Sequence, residues 1–312
     1  MQPRRVTPTR VYRFYRGGLL IDRMRAEPGA DTDFPEDWVG SVTPASNPGR
    51  DEPLAGLSQL DDGSLLRDAI AADPEGWLGP DAARGSTGVL VKLLDAAERL
   101  PVHFHPDRAF AAEHFGSPFG KTEAWIVLAT REAESEVWIG MRERVDRDTY
   151  RGWIDRQDRG RLLEALHRVP VKAGDVIFVP AGTPHAIGAG ALIAELQEPT
   201  DFSIVCEWDG YPIAAGDSHL GLGWDVAVEA LRLEPQEPVL GLPDEARAFF
   251  WADELTEPAG RFAVWIVLDG SGTIAGERAR SGDCFVVPAA AERIDVDGGL
   301  RVLRCLGPQS GV

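Results

Sequence analysis

Only three of the 312 residues are cysteine and only six are histidine. Cys206, Cys284 and Cys305 form no Cys-x-x-Cys pair and no even set, which leaves neither a disulfide framework nor a thiolate metal site. Scattered thiols of this kind fit a reducing compartment and buried packing roles. Positive charge is also in deficit. The 32 Lys and Arg face 50 Asp and Glu, for a net charge of −18, which excludes the basic face a nucleic-acid partner needs. A small anionic ligand is not excluded, because charges beyond about 8 Å are largely screened at physiological salt. No apolar run approaches the roughly 18–20 residues of a membrane span. The opening "MQPRRVTPTRVYRFYRGG" is basic but lacks the apolar core of about 7–15 residues that a secretory signal requires. The expectation is a soluble, cytoplasmic protein with no membrane partner.

What is present is ordinary globular composition, 44% hydrophobic and 26% charged, long enough for one large or two ordinary domains. Residues 17–60 are rich in Gly, Pro, Asp and Ser and read as irregular segments with short strands. A helix is expected near 62–73, with Asp62 or Ser64 as N-cap and Asp73-Pro74 as the stop. "GVLVKLLDA" (88–96) is a dense β-branched run and reads as a buried strand. In 106–115, Pro106 suits the first turn of a helix and Gly116 its end. "EAWIVLAT" and "EVWIGM" read as strands. Residues 146–168 read as a helical block, with Leu162, Leu163 and Leu166 facing inward. "GDVIFVP", "AIGAGALIAELQ" and "FSIVCEW" return to strands.

The sequence also repeats itself. "AGDVIFVPAGTPH" (173–185) is echoed by "SGDCFVVPAAAER" (281–293), at an offset of 108 residues. "EAWIVLAT" (123–130) is echoed by "AVWIVLDG" (263–270), at an offset of 140. The difference corresponds to an insertion in the first copy, most of it the helical block. Two related all-β units follow, the first carrying helical insertions. Glu123 aligns with Ala263 and His185 with Arg293, and no histidine follows His219. The second unit therefore has no evident metal ligands and is expected to be a scaffold.

Chemistry concentrates in "LPVHFHPD" (100–107). In a strand, residues i and i+2 share a face, so His103 and His105 can aim at one point. Taken alone, the pair is weak evidence for a metal and reads first as two polar residues on a wet face. Glu123 opens the next strand, Lys121 stands two residues before it, and His185 follows the turn "PAGTP". Three imidazoles and a carboxylate would suit a divalent transition metal such as zinc, with manganese, iron or nickel also possible. His114, His167 and His219 are expected at the surface, without a role. Trp38 and Trp125 could offer an apolar face to a sugar ring.

The stretches "VLVKLLDA", "LPVHFHPD", "GKTEAWIVL", "VPVKAGDVIFVPAGTPHAIGAGALIAELQ" and the N-terminal "GG" and "PEDWVGS" resemble the type I phosphomannose isomerase family. The likeness is to its short bacterial form with two cupin domains, in order from about Gly17 to Glu198, with the second cupin at 245–307. The resemblance implies a mainly β fold of two jelly-roll (cupin) domains. The first, residues 1–235, would carry helical insertions at about 62–73, 106–115 and 146–168. The second, residues 236–312, would be degenerate and without metal ligands.

It further implies a zinc enzyme interconverting mannose 6-phosphate and fructose 6-phosphate through an enediol, with one divalent ion per chain. The metal would be held by His103, His105, Glu123 and His185, where His103 replaces the family's glutamine. Lys121 and Glu195 are the expected catalytic residues. Lys92 and Asp201 are the expected substrate-binding ones. Two positions depart from the family pattern: Val205 stands where it has an arginine, and Pro101 where it has a serine. These departures keep two alternatives open, an isomerase of an unphosphorylated sugar and a non-catalytic cupin that binds metal and sugar; three histidines and a glutamate also suit redox metals, which keeps open a third, an oxygen-using cupin. A sugar or sugar phosphate is the expected partner, and no oligomeric state is implied.

Overall fold

The structure is a computed structural model that describes residues 1–29 and 32–309. It is mainly β, with every named strand pairing antiparallel. A seven-stranded sheet runs in the spatial order Val239–Leu240, Val176–Val179, Glu123–Thr130, Ala191–Gln197, Leu90–Asp95, Glu36–Val39 and Arg10–Val11. A five-stranded sheet runs Ile204–Val205, His103–Phe104, His185–Ile187, Ser135–Met141 and Leu166–Val171. Between them lies an apolar core that includes Leu94, Trp125, Val127, Val137, Ile139 and Ile193.

The dense apolar runs follow from what each sheet touches. Along Glu123–Thr130, Trp125 and Val127 enter this core, while Ala124 points to a second cluster on the outer face of the sheet. That second cluster joins Val91, Leu93 and Leu196 to Val264, Ile266, Val286 and Cys305 of the C-terminal part. A sheet covered on both faces has no wet side, so its strands lose polar alternation. The exceptions are therefore informative: Lys92, Glu123 and Glu195 are charged side chains on these strands, all buried.

The C-terminal part repeats the arrangement. Its five-stranded sheet runs Arg4–Arg5, Cys284–Val287, Ala263–Asp269, Arg301–Leu306 and Trp251–Asp253, beside a three-stranded sheet. In the first part Glu123 pairs with Val179 and Trp125 with Ile177. In the second, Ala263 pairs with Val287 and Trp265 with Phe285. These are the partners the two sequence offsets would bring together, and the register is the same in both copies.

The helical segments divide between two clusters: Leu66, Ile70, Trp77 and Leu78 join the one that links the two parts, while those at 147–164 cover the outer face of the sheet that holds His103–Phe104. Tyr150, Ile154 and Leu162 pack with Phe104, Ala186, Ile204 and Cys206. Several helix boundaries differ from expectation. The block at 146–168 divides into Arg147–Asp155 and Arg159–Glu164, capped by Asp146 and Asp158, and is followed by the strand Leu166–Val171. The helix near 62–73 is Leu66–Ala72; the Asp62 carboxylate instead closes a turn by accepting from Ser64. That helix does stop at Asp73, as expected, and Pro74 then opens a separate one, Pro74–Leu78, with Asp73 accepting from Gly76, as proline's fixed φ suits a first turn. The helix expected at 106–115 is Arg108–Phe115, capped by Asp107, so Pro106 lies outside it. Among the described residues no helix is long and apolar enough to cross a membrane.

Candidate metal centre

Three strands of the five-stranded sheet converge where His103 pairs with His185 on one side and Val205 on the other. Strand alternation turns Phe104 outward into the helical core, and leaves His103 and His105 on the inner face. The turn before His185 needs Gly182 at φ +81°, where a Cβ would meet the Ala230 carbonyl at 2.8 Å. The Gly182 N–H also donates to the His105 carbonyl at 2.7 Å. This turn therefore ties two of the histidines together. Glu123 comes from the facing sheet, at the start of its strand.

The side chains brought together are those singled out from the sequence. The candidate ligand atoms of His103, His105 and His185 lie within 4.8 Å of one another. Glu123 Oε1 is 3.0 Å from His105 Nε2, and Glu123 Oε2 is 3.7 Å from His185 Nε2. All four are buried, with His103 the most accessible at 9%.

Each imidazole is pinned through its other nitrogen. The Nδ1 atoms of His103, His105 and His185 lie 2.8, 2.7 and 2.8 Å from the carbonyl oxygens of Pro101, Phe202 and Thr183. A carbonyl can only accept, so each Nδ1 carries the proton and each Nε2 presents a lone pair. Burial, with the neighbouring imidazole adding to it, holds His103 well below its ordinary value and His185 at about 3. Burial likewise pushes His105 down to about 3, against the pull of Glu123. Burial alone would raise the Glu123 carboxyl, but His105 and Lys121 outweigh it and keep it well below the carboxylate range.

Three inward lone pairs and a carboxylate therefore meet in a dry site. His105 Nε2 and Glu123 Oε1 are both acceptors at 3.0 Å, and His185 Nε2 has no hydrogen-bond partner. Lys121 Nζ, 3.3 Å from His105 Nε2 and 2.9 Å from Glu123 Oε1, relieves that pair in part, and an ion shared by all four side chains would satisfy the whole set. Imidazoles that donate Nδ1–H to a backbone carbonyl are the usual form of metal-bound histidine. The residues present fit a divalent ion, and His103, His105 and His185 form a group that could bind one.

Beside this centre a cleft opens, lined by Lys121, Glu123, Glu195, Lys92 and Asp201 among others. Lys121 Nζ is 2.9 Å from Glu123 Oε1 and donates to Ser203 Oγ at 3.2 Å. Glu195 accepts from Trp125 Nε1 at 3.1 Å, and the same indole lies 3.2 Å from Glu123 Oε2. Burial and the nearby Glu123 charge push Glu195 up to about 7. Lys92 stands between Glu195 at 3.2 Å and Glu36 at 3.7 Å; burial would lower it, but these two carboxylates raise it. Trp38 and Trp125 are fully buried rather than presented to a ligand. Trp38 lies under Arg13 and Lys92 instead.

Arg13 was not among the residues expected here. Its guanidinium enters the cleft, bonds Asp201 bidentately at 3.1 and 2.9 Å, and lies 3.0 Å from Glu36. A second residue, Tyr15, donates to Glu36. The signal was faint: Val11, Arg13 and Tyr15 are buried at alternate positions, a two-residue period in a segment to which no element was assigned from the sequence.

No family model matches the chain. It is 43% identical over 113 residues to the mannose-6-phosphate isomerase of Streptococcus mutans, across 36% of this chain and 34% of that protein. The Bacillus subtilis protein named "Probable mannose-6-phosphate isomerase GmuF" is 32% identical over 167 residues, 53% of this chain and 49% of the relative. Over the matched segments the chain is similar to proteins named mannose-6-phosphate isomerase. These matches span between a third and a half of the relatives' length, whereas the likeness in fold runs end to end. The Bacillus subtilis mannose 6-phosphate isomerase structure matches with a TM-score of 0.74 at 22% identity, covering 98% of this chain and 99% of that one. A phosphomannose isomerase from Salmonella typhimurium matches at 0.72 and 16%, covering 98% and 100%. At such identities the structures establish the shared fold.

Proposed function

We propose that the chain is a metal-dependent aldose–ketose isomerase that moves a proton between C1 and C2 of a mannose- or fructose-type sugar through an enediol. The observation that carries this reading is the centre itself: three Nε2 lone pairs and the Glu123 carboxylate aimed at one point, at the inner end of a cleft that also holds an ion-paired lysine and a second carboxylate. His103, His105, His185 and Glu123 would hold the ion, with zinc the first expectation for this donor set. When bound, a divalent ion would supply Lewis acidity toward a carbonyl oxygen of the sugar.

The chain's own residues account for the rest. Glu195 is the proposed proton carrier, since it lines the cleft and has one oxygen fixed by Trp125 and the other facing Lys92. Lys92 then acts as a positioning residue, which holds that carboxylate in place rather than reaching a sugar. Lys121 orients Glu123 and offers a donor to an oxygen that gains charge during the reaction. Apolar walls exclude water from the enediol. Residues 236–312 are proposed as a scaffold, because Ala263 and Arg304 occupy the register positions that Glu123 and Glu195 hold in the first copy.

Mannose 6-phosphate, which the relatives' names carry, and its ketose fructose 6-phosphate form the first pair to assay. Elemental analysis of purified protein should find about one divalent ion per chain, and metal removal should abolish interconversion that re-addition restores. Stoichiometric absence of a bound metal, with isomerase activity intact, would refute the proposal.

A further inference from the structure

The ladder that carries Glu123 does not end as an ordinary pair of strands. Gln197, the last residue of its strand, faces Glu123 in register, and one further step brings Glu198 opposite Thr122. There the Glu198 N–H donates to the Thr122 carbonyl at 3.1 Å. An antiparallel pair of this kind would return a second main-chain bond. Instead the Glu198 carbonyl accepts from the Thr200 N–H at 2.7 Å and from the Gln197 side-chain amide at 3.2 Å. The Thr122 N–H donates to the Glu198 side chain, at 3.1 Å from Oε2. One residue thus holds both main-chain groups of Thr122, which stands between Lys121 and Glu123. Side chains alternate along extended backbone, so fixing Thr122 sets the direction of the two inward neighbours, which meet at 2.9 Å.

Glu198 is itself anchored. Its Oε1 accepts from Arg108 Nε at 2.5 Å, and Arg108 is the first residue of the helix that follows His105. Arg108 Nη2 donates to the Ala248 carbonyl at 2.8 Å, and its guanidinium lies 4.6 Å from the centre of the Phe249 ring, both in the C-terminal part. Thr122 and Glu198 are buried and Arg108 is exposed; none of the three is among the described residues that line the cleft. Burying a carboxylate is costly unless it is paired and hydrogen-bonded. Here it makes charge-assisted bonds, about twice as strong as neutral ones, to the segment that enters the metal centre. We infer that Glu198 is a positioning residue, which holds Glu123 and Lys121 to the histidines through the Thr122 main chain, and that Arg108 fastens it to the C-terminal part. The inference rests on reading His103, His105, Glu123 and His185 as metal ligands, and it gives residues 236–312 a specific task at that site.

The test is cobalt(II) titration of the whole chain after removal of metal. The visible absorption band reports ligand geometry, and a competing chelator measures affinity. In Glu198→Ala the affinity should fall about 10–100-fold, the usual effect of losing the support behind a metal ligand, and the band should shift. Glu198→Gln keeps one acceptor oxygen for the Thr122 N–H and should recover part of both. Arg108→Ala removes an exposed side chain and should weaken binding in the same direction. Combined with Glu198→Ala it should add nothing further, because the two residues act in one chain. Parental affinity and band in folded Glu198→Ala overturn the inference; should that variant fail to fold, the same result in Arg108→Ala overturns it. A parent chain that takes up no cobalt refutes the metal centre, and the inference with it. Cobalt binding that responds to Glu198 without turnover of any sugar leaves the inference standing and refutes the isomerase instead.

Discussion

At the residue scale, the site is built from pinned tautomers. Because each Nδ1 is tied to a backbone carbonyl, the histidines cannot turn their lone pairs elsewhere, and removal of one leaves an incomplete set. His185→Ala should therefore purify with metal content well below one ion per chain, measured by elemental analysis, and full occupancy would count against the assignment. Glu195 makes a different expectation. Glu195→Gln keeps the size and the Trp125 bond, so metal should stay bound while kcat falls by about 10²–10⁴-fold, the usual contribution of a positioned acid or base. A loss of metal together with activity would move Glu195 from proton carrier to structural support. That His103 and His105 share a face is legible from strand periodicity; that Glu123 and His185 join them was implied by the family resemblance, since no local pattern brings separate strands to one point. Arg13 is not legible, because its partner Asp201 lies 188 residues away and no local pattern reports so distant an ion pair.

At the element scale, the strand of His103 depends on Glu207. That buried carboxylate accepts from the Val102 N–H at 3.1 Å and from Arg99 Nη1 at 2.8 Å, and from Arg159, the first residue of Arg159–Glu164, at 2.6 Å. Burial would raise Glu207, but Arg99, Val102 and Arg159 outweigh it and lower it below 4.5. A carboxyl depressed in the folded state contributes stability above its unfolded value that is lost as pH falls through its folded one. Thermal unfolding should thus show stability falling below about pH 4.5, and Glu207→Gln should flatten that dependence. Glu207→Ala should cost about 3–5 kcal/mol, since it strands two guanidinium groups and a buried N–H. A variant as stable as the parent at pH 7 would contradict this role.

The helical insertions show how far pattern alone reaches at this scale. Leu162 and Leu166 are both buried in one cluster, as their spacing implies. Yet Leu166 belongs to a strand that pairs with Met141. Over so short a span the inward face of a helix and the inward face of a following strand can fall on the same residues, so burial was readable and the element was not.

At the scale of the whole molecule, the two β units do not divide cleanly along the chain. Arg4–Arg5 adds a strand to the C-terminal sheet, and Val239–Leu240 adds one to the seven-stranded sheet. The matching registers of the two copies agree with the internal repeat read from sequence. The crossing of chain ends was not readable, because two-residue strands carry no periodicity. Gly40 sits where the parts meet, at φ +59°, with a Cβ position 2.6 Å from Val286 Cγ1. Gly40→Ala should lower stability by about 1–3 kcal/mol through backbone strain and overpacking together. Denaturant titration would measure it, and a neutral effect would mean that the contact between the sheets yields easily.

Proton traffic at C2 is the most direct measure of whether these four side chains serve an isomerase. The protein is incubated with its sugar in D2O and the C2 proton signal followed by NMR, first as purified, then after chelation, then after one equivalent of zinc is returned. The account expects deuterium to enter at C2 as isomerisation proceeds, to stop when the metal is removed, and to resume when it is restored. Exchange that continues undiminished in the metal-free protein, or that never occurs with any divalent ion bound, would contradict it.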